Sequence, residues 1–315
     1  MKKIVLTVVV FMVSSVSIIS QTASQWSQYM FNSSSFNPAA VGEKGMIEAV
    51  WQHRIQWVGM PNAGQSDIIN LNLPVDFLST THGVGLKVID DKVGLFSNTS
   101  VYLQYAYKLK TTSGVWSFGT ELGLINAGFE GDSVHSVNIG DYHESTDPVV
   151  PSTNVQGMGF DIGLGAWYSS PKFEAGISYA HLNQPVISWS DQLDYQEKGV
   201  LFITGGYNWT LIDPKMVIKP TTLFKTDFVS YQWDASARME YDNKYWGGLS
   251  YRWGDAVVFF AGINAIAGLN IGYAYDLPVS QIIKASSGSH EFLISYSFEY
   301  KLNKAKHKYK SIRIL

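Results

Sequence analysis

Between residues 230 and 241 the chain alternates without exception. Tyr231, Trp233, Ala235, Ala237, Met239 and Tyr241 are apolar, while Ser230, Gln232, Asp234, Ser236, Arg238 and Glu240 are polar. A period of two places successive side chains on opposite faces of a β-strand. The pattern recurs in "VWSFGTELGL", where Trp116, Phe118, Leu122 and Leu124 alternate with Ser117, Gly119, Glu121 and Gly123, and again in "GFDIGLGAWY", "FEAGISYAH" and "FLISYSFEY". Segments of this kind lie near residues 45–57, 65–74, 82–90, 97–109, 115–127, 156–168, 172–181, 199–209, 215–225, 229–241, 244–252, 256–265, 268–276 and 290–301. In 215–225, Pro220 interrupts the ladder and Lys219 has no evident polar phase.

The spacing between segments is asymmetric. Long connections follow the fifth (128–155), seventh (182–198) and thirteenth (277–290) segments, whereas those after even-numbered segments are short, such as 169–171, 242–243 and 265–268. Long extracellular loops with short periplasmic turns mark an outer-membrane barrel. The expected fold is therefore all-β: a transmembrane antiparallel β-barrel of about 14 strands. Its apolar faces meet lipid and its charged faces, including Asp234, Arg238 and Glu240, meet the lumen. Trp209, Trp233, Trp246 and Trp253, at or near strand ends, fit an interfacial girdle. A soluble two-sheet sandwich also alternates, but it explains neither the loop asymmetry nor the strand number.

Composition agrees with a lipid-solvated surface. Of 315 residues, 16% are charged and 46% hydrophobic, against about 25% charged in an average soluble domain. The start, "MKKIVLTVVVFMVSSVSIISQ", has the basic and apolar regions of a secretory signal. The expected organisation is a signal peptide over 1–20, an N-terminal periplasmic or lumen-plugging segment over 21–43, a barrel over 44–302 and a basic periplasmic tail over 303–315. Loss of Lys2 and Lys3 takes the formal charge from −3 to −5, and nothing in that balance suggests nucleic acid. With no cysteine, the chain has neither a disulfide framework nor a lipidated cysteine anchor. Trp26, Tyr29, Met30 and Phe31 are too apolar for a free tail, so 21–42 is expected to pack into or beneath the barrel.

Three stretches resemble the PorP/SprF family, outer-membrane components of type IX secretion and gliding machinery in Bacteroidetes-type bacteria. They are "QYMFNSSSFNPAAVG" at 28–42, "RIQWVGMPNAGQS" at 54–66, in which Pro61 precedes the small residues rather than following them, and "IGYAYDLPVSQIIKASSGSHEFLISYSF" at 271–298. The resemblance implies a non-enzymatic barrel in the outer membrane that binds a large secreted adhesin through its C-terminal sorting domain and supports its export and surface attachment. It also implies periplasmic contacts with type IX secretion motor components. The matched residues Tyr29, Asn37, Pro38, Arg54, Gln56, Trp57, Tyr275, Asp276, Ser289, His290 and Glu291 are the candidate partner-binding set. Each has a structural reading beside it: Asn37 and Pro38 as a turn before the first strand, Arg54 as a lumenal cation paired with Asp or Glu, and the 275–291 group as a polar network joining the last two strands.

The rival function is an outer-membrane diffusion channel for small solutes, lined by Glu121, Asp161, Glu174, Asp234, Arg238 and Arg252. The glycines of "GMGFDIGLG" fall on alternate strand positions with no helix following, so they read as room on a crowded inner wall and not as a phosphate loop. His135, Asp141, His143 and Glu144 share the acidic 128–155 loop, but their spacing fits no Ca²⁺ or Zn²⁺ frame. No catalytic, cofactor or metal residues are expected.

Overall fold

The computed structural model describes residues 24–77, 79–133, 151–190, 193–266 and 268–299. The expected signal peptide (1–20), residues 134–150 of the acidic loop and the expected periplasmic tail (303–315) lie outside the described residues. The chain forms a closed antiparallel barrel of fourteen strands. They are β1 (Ile47–Ile55), β2 (Gln65–Phe77), β3 (Thr80–Val93), β4 (Phe96–Lys110), β5 (Val115–Phe129), β6 (Val155–Ser169) and β7 (Phe173–Ala180), then β8 (Val200–Tyr207), β9 (Met216–Thr226), β10 (Tyr231–Tyr241), β11 (Tyr245–Arg252), β12 (Ala256–Ile266), β13 (Leu269–Pro278) and β14 (Ser289–Phe298). Each strand pairs with its sequence neighbour, and β1 closes the ring on β14 with Ile47 opposite Phe298 and Ile55 opposite His290. Closure leaves no open sheet edge in hydrocarbon, where an unpaired backbone group costs several kcal/mol.

The two faces separate as the alternation requires. On β10, Tyr231, Trp233 and Met239 are exposed on the outside, while Gln232, Asp234 and Ser236 are buried in the lumen. On β5, Trp116, Phe118, Leu122 and Leu124 face out, with Ser117 and Glu121 buried inside. The outer face is thus a continuous apolar band, with aromatic clusters such as Trp116–Tyr168 near the short-turn end and Trp233–Trp253 near the long-loop end. Replacing Leu103, which sits mid-strand on β4 between Leu86 and Leu122, by Arg is expected to cost about 2–4 kcal/mol. The check is the urea midpoint of the protein folded into phosphatidylcholine vesicles.

Two expectations need correction. Trp246 is not part of the girdle: it is in phase with Ser250 and Arg252, is buried in the lumen, and donates from Nε1 to Asn270 Oδ1 at 2.8 Å. Lys219 does have a lumenal phase. Its Nζ lies 2.6 Å from Glu240 Oε2, in step with buried Leu223 and Lys225. The apolar Leu223 on that inner face hid the alternation, while Pro220 points outward and is tolerated opposite Ala237.

The seventh connection, in which the alternation predicts no strand, holds a small hairpin, Val186–Ser190 paired with Leu193–Gln196. It folds inward over the outer mouth. Ile187 is buried where a Cβ on Gly157 or Gly159 would collide with it, Trp189 stacks on Tyr195 at 5.3 Å, and Trp189 Nε1 donates to the Ala127 carbonyl. Burial, and then the Glu197 carboxylate, raise the Tyr195 hydroxyl above the usual phenol range. It therefore stays protonated and donates to Glu197 Oε2 at 2.7 Å.

Candidate functional site: a plugged lumen and its outer latch

Inside the barrel the wall is polar, and residues 24–46 fill much of it. Three short 3₁₀ turns, Tyr29–Phe31, Ser33–Ser35 and Pro38–Ala40, let the segment wind rather than extend. The third is set by Asn37, whose Oδ1 accepts from Ala39 N at 3.0 Å, with Pro38 supplying a fixed φ at the first position. The segment touches wall residues on all sides, so it occupies the lumen and does not lie beside the barrel. Asn32 Nδ2 donates to Gln52 on β1, Gln104 on β4 and Lys87 on β3 donate to the Ser34 and Ser35 carbonyls, and Ser178 on β7 donates to the Phe36 carbonyl. Asn37 Nδ2 donates to the Ala166 and Ile177 carbonyls. Tyr29 donates to the Thr221 carbonyl and shares hydrogen bonds with Ser236 across β9 and β10. Phe31 packs on Trp246 with ring centres 4.3 Å apart.

Wall glycines make this fit possible. A Cβ on Gly119 would sit 2.4 Å from Ala39 N, and one on Gly83 would sit 2.0 Å from the Val41 carbonyl oxygen. Because the chain lacks cysteine, Ala39→Cys, at a fully buried position, reports on the plug directly. It is expected to resist maleimide in the native barrel and to label at least about tenfold faster when Gly119→Val displaces the segment, since overpacking is not absorbed without backbone movement.

At its outer end the segment is held by a buried ionic latch. Arg252 donates from Nε to Asp234 Oδ1 at 2.9 Å, from Nη1 to Asp276 Oδ2 at 2.8 Å and from Nη2 to Ser27 Oγ at 3.1 Å. Arg54 donates to the same Asp276 oxygen at 2.7 Å and to Ser27 Oγ at 2.9 Å, with Glu291 3.5 Å away. Ser27 Oγ completes the circuit by donating to Asp276 Oδ1 at 2.7 Å. Glu291 accepts from the backbone N–H groups of Ser27 and Gln28 at 2.6 and 2.9 Å and from Gln52 Nε2 at 3.2 Å. Two guanidinium groups thus face four carboxylates, the fourth being Asp255, whose Oδ2 lies 3.3 Å from Arg252 Nη1, with plug hydrogen bonds and Gln232 Nε2 on Asp234 supplying further donors. Desolvation makes each member costly alone, and mutual pairing offsets that cost.

The candidate residues divide in two. Tyr29, Asn37, Pro38, Arg54, Asp276 and Glu291 are buried in the plug and its latch, out of reach of a partner arriving from either side. Gln56, Trp57, Tyr275, Ser289 and His290 gather at the outer rim. There Trp57, at φ +49°, donates from its backbone N–H to Ser289 Oγ at 3.0 Å, Val58 N–H donates to the Gly288 carbonyl at 2.8 Å, and Ser287 N–H returns to the Val58 carbonyl at 2.8 Å. The Gln56 backbone N–H turns back to the Gly64 carbonyl at 2.8 Å and closes the β1–β2 loop. Tyr275 hydroxyl donates to the Ser287 carbonyl, and His290 hydrogen-bonds Tyr273 on the outer face. The β1–β2 and β13–β14 loops are therefore zipped into one ledge. Sequence reasoning missed Arg252, Asp234, Ser27 and Gln28 as latch members. Asp234 and Arg252 were legible as lumenal, but their meeting with Arg54 and Asp276 depends on ring closure. Among the described residues, no group of three or more His, Cys, Asp or Glu side chains is arranged to hold a metal.

Fold and lumen together define a plugged β-barrel of the outer-membrane kind. The match to "Type IX secretion system membrane protein PorP/SprF" spans residues 18–296, and the chain belongs to that family. It is thus an outer-membrane component of type IX secretion. No curated protein matches the chain. Solved structures similar to it include a Pseudomonas aeruginosa FadL homologue (9% identity, 85% of this chain and 94% of that chain, TM-score 0.49) and the CymD monoaromatic hydrocarbon channel (11%, 90% and 95%, 0.48). The Acinetobacter baumannii outer membrane protein Omp33 is also similar (8%, 80% and 98%, 0.47).

Proposed function

We propose that this protein is a non-enzymatic scaffold that binds a large secreted adhesin through the adhesin's C-terminal sorting domain, supports its export and holds it at the cell surface. Its periplasmic end contacts type IX secretion motor components. The observation that carries this reading is the plug that occupies the lumen. Residues 24–46 tie strands around the circumference together and are fastened by Arg54 and Arg252, so the barrel is stiffened as a platform instead of being left open as a conduit. The outer surface it presents includes the ledge of Gln56, Trp57, Tyr275 and His290, held from beneath by buried Ser289 and flanked by exposed Val279 and Ile283. Conserving rigid strands while offering loops is how binding surfaces are commonly built.

The test is a deletion strain examined for surface display and for solute uptake. The expected result is loss of one large surface protein, identified by mass spectrometry of shaved cells, with uptake of small solutes unchanged. Unchanged surface display combined with impaired uptake would instead support the diffusion channel.

A further inference from the structure

At the periplasmic end the plug leaves space. A cavity of about 700 Å³ lies between Met30 and Phe31 of the plug and the inner ends of the strands from β9 to β14. Four lining side chains are cationic, Lys44, Lys219, Arg238 and Lys244, and among the described residues Glu240 is the acidic one. Two of the cations are neutralised locally, Lys44 by Glu48 and Lys219 by Glu240 at 2.6 Å. Lys244 lies over the Tyr245 ring at 5.3 Å. Arg238 is different. Its guanidinium stacks on Phe31 at 4.3 Å, its Nη2 is 3.9 Å from Glu240, and its Nε is buried with no hydrogen-bond partner.

A buried donor left unmade costs about 1–3 kcal/mol, more on a charged group. The Nε–Nη2 edge of a guanidinium is also the fork that takes a carboxylate in two parallel hydrogen bonds. We propose that this vestibule binds an acidic peptide segment presented from the periplasm, with one carboxylate on the Nε and Nη2 of Arg238 and a neighbouring apolar side chain against Phe31 and Trp246. The cavity falls in the size range of sites that enclose a small ligand. Inorganic phosphate would satisfy the cations and leave the aromatic floor uncovered. A lipid acyl chain would need a way in from the bilayer, and neighbouring strands of the wall from β9 to β14 are all paired, with one register shift between Asn264 and Ile266 at the end of β12. This inference rests on the orientation of the barrel and not on the identity of any surface substrate.

The experiment uses the full-length mature protein in nanodiscs and two fluorescein-labelled peptides, Gly-Asp-Phe-Glu-Leu amide and its neutral analogue Gly-Asn-Phe-Gln-Leu amide, titrated by anisotropy. The acidic peptide is expected to bind at least about tenfold more tightly, with the preference falling as salt rises. Arg238→Gln is expected to abolish that preference. Glu240→Gln, which removes the carboxylate shared by Lys219 and Arg238 and leaves Glu174 acting on Arg238 from across the lumen, is expected to strengthen acidic-peptide binding severalfold. That gain keeps the test decisive even if Arg238→Gln folds poorly. Equal binding of the two peptides overturns the proposal, as does a Glu240→Gln variant that binds no better than the parent. Displacement of the acidic peptide by equimolar inorganic phosphate, or binding that appears only with phosphatidylglycerol in the disc, overturns it in favour of a simple anion or a lipid.

Discussion

Deleting residues 24–42 from the mature chain is expected to turn a non-conducting barrel into a conducting one. In planar bilayers the intact protein should stay near baseline, and the deletion should raise conductance on the order of tenfold or more, since a ring of this strand number is wider than the eight-strand barrels whose side chains fill their interior. The expectation follows from what the segment occupies. It fills the volume between Gly83 and Gly119 on one side and Trp246 on the other, and its removal exposes Arg54, Arg252, Asp234, Asp276 and Glu291 to water. With four carboxylates, Asp234, Asp255, Asp276 and Glu291, against Arg54, Arg252 and the neighbouring Lys225 at the outer latch, the opened pore should favour cations. The inward-folded hairpin of Val186–Gln196 is the element that would defeat this result. If the deletion stays silent, that hairpin seals the mouth, and removing residues 186–196 in addition should open it.

Much of this architecture was legible in the sequence because a transmembrane barrel obeys one rule along its whole length. Residues 97–109 alternate cleanly and become Phe96–Lys110, and residues 229–241 become Tyr231–Tyr241. Where one side chain broke the rule, legibility failed locally. Leu223 on the inner face of β9 hid the phase of Lys219, since it packs in the cluster formed by Tyr29 and Phe36 of the plug, and that contact has no sequence-local signature. Trp246 was misplaced for the same reason: an aromatic near a strand end reads as a girdle until an inner partner, here Phe31, is known. The hairpin at Val186–Gln196 escaped notice because its first strand is short and Pro185 precedes it. The candidate set was half informative. Arg54, Asp276 and Glu291 were singled out with both a partner-binding and an internal reading, and the structure places them in contact with Ser27 and Gln28. No period or motif predicts those contacts, because Asp276 and Glu291 meet Ser27 and Gln28 across more than 200 positions.

Loss of Arg252 should be the most damaging single substitution in the lumen. Arg252→Ala strands Asp234, buried at 2% exposure, leaves Asp276 with Arg54 as its one guanidinium partner in the latch, and removes one of the two guanidinium donors to Ser27 Oγ. Breaking a buried ion pair by removing one partner typically costs about 3–5 kcal/mol, because the other charge is left uncompensated. The readout is the temperature at which the folded band converts to the unfolded one on unboiled gels, together with maleimide labelling at Ala39→Cys, which should rise as the latch loosens. Arg54→Ala is expected to act in the same direction, and the two should not add, since both guanidinium groups share Asp276 Oδ2 and Ser27 Oγ. Pairing Arg252→Ala with Asp234→Asn removes one stranded charge and should recover part of the loss, whereas an effect of Arg252→Ala below about 1 kcal/mol, the size of an exposed pair, would show that the latch is wet and that something other than these charges holds the plug.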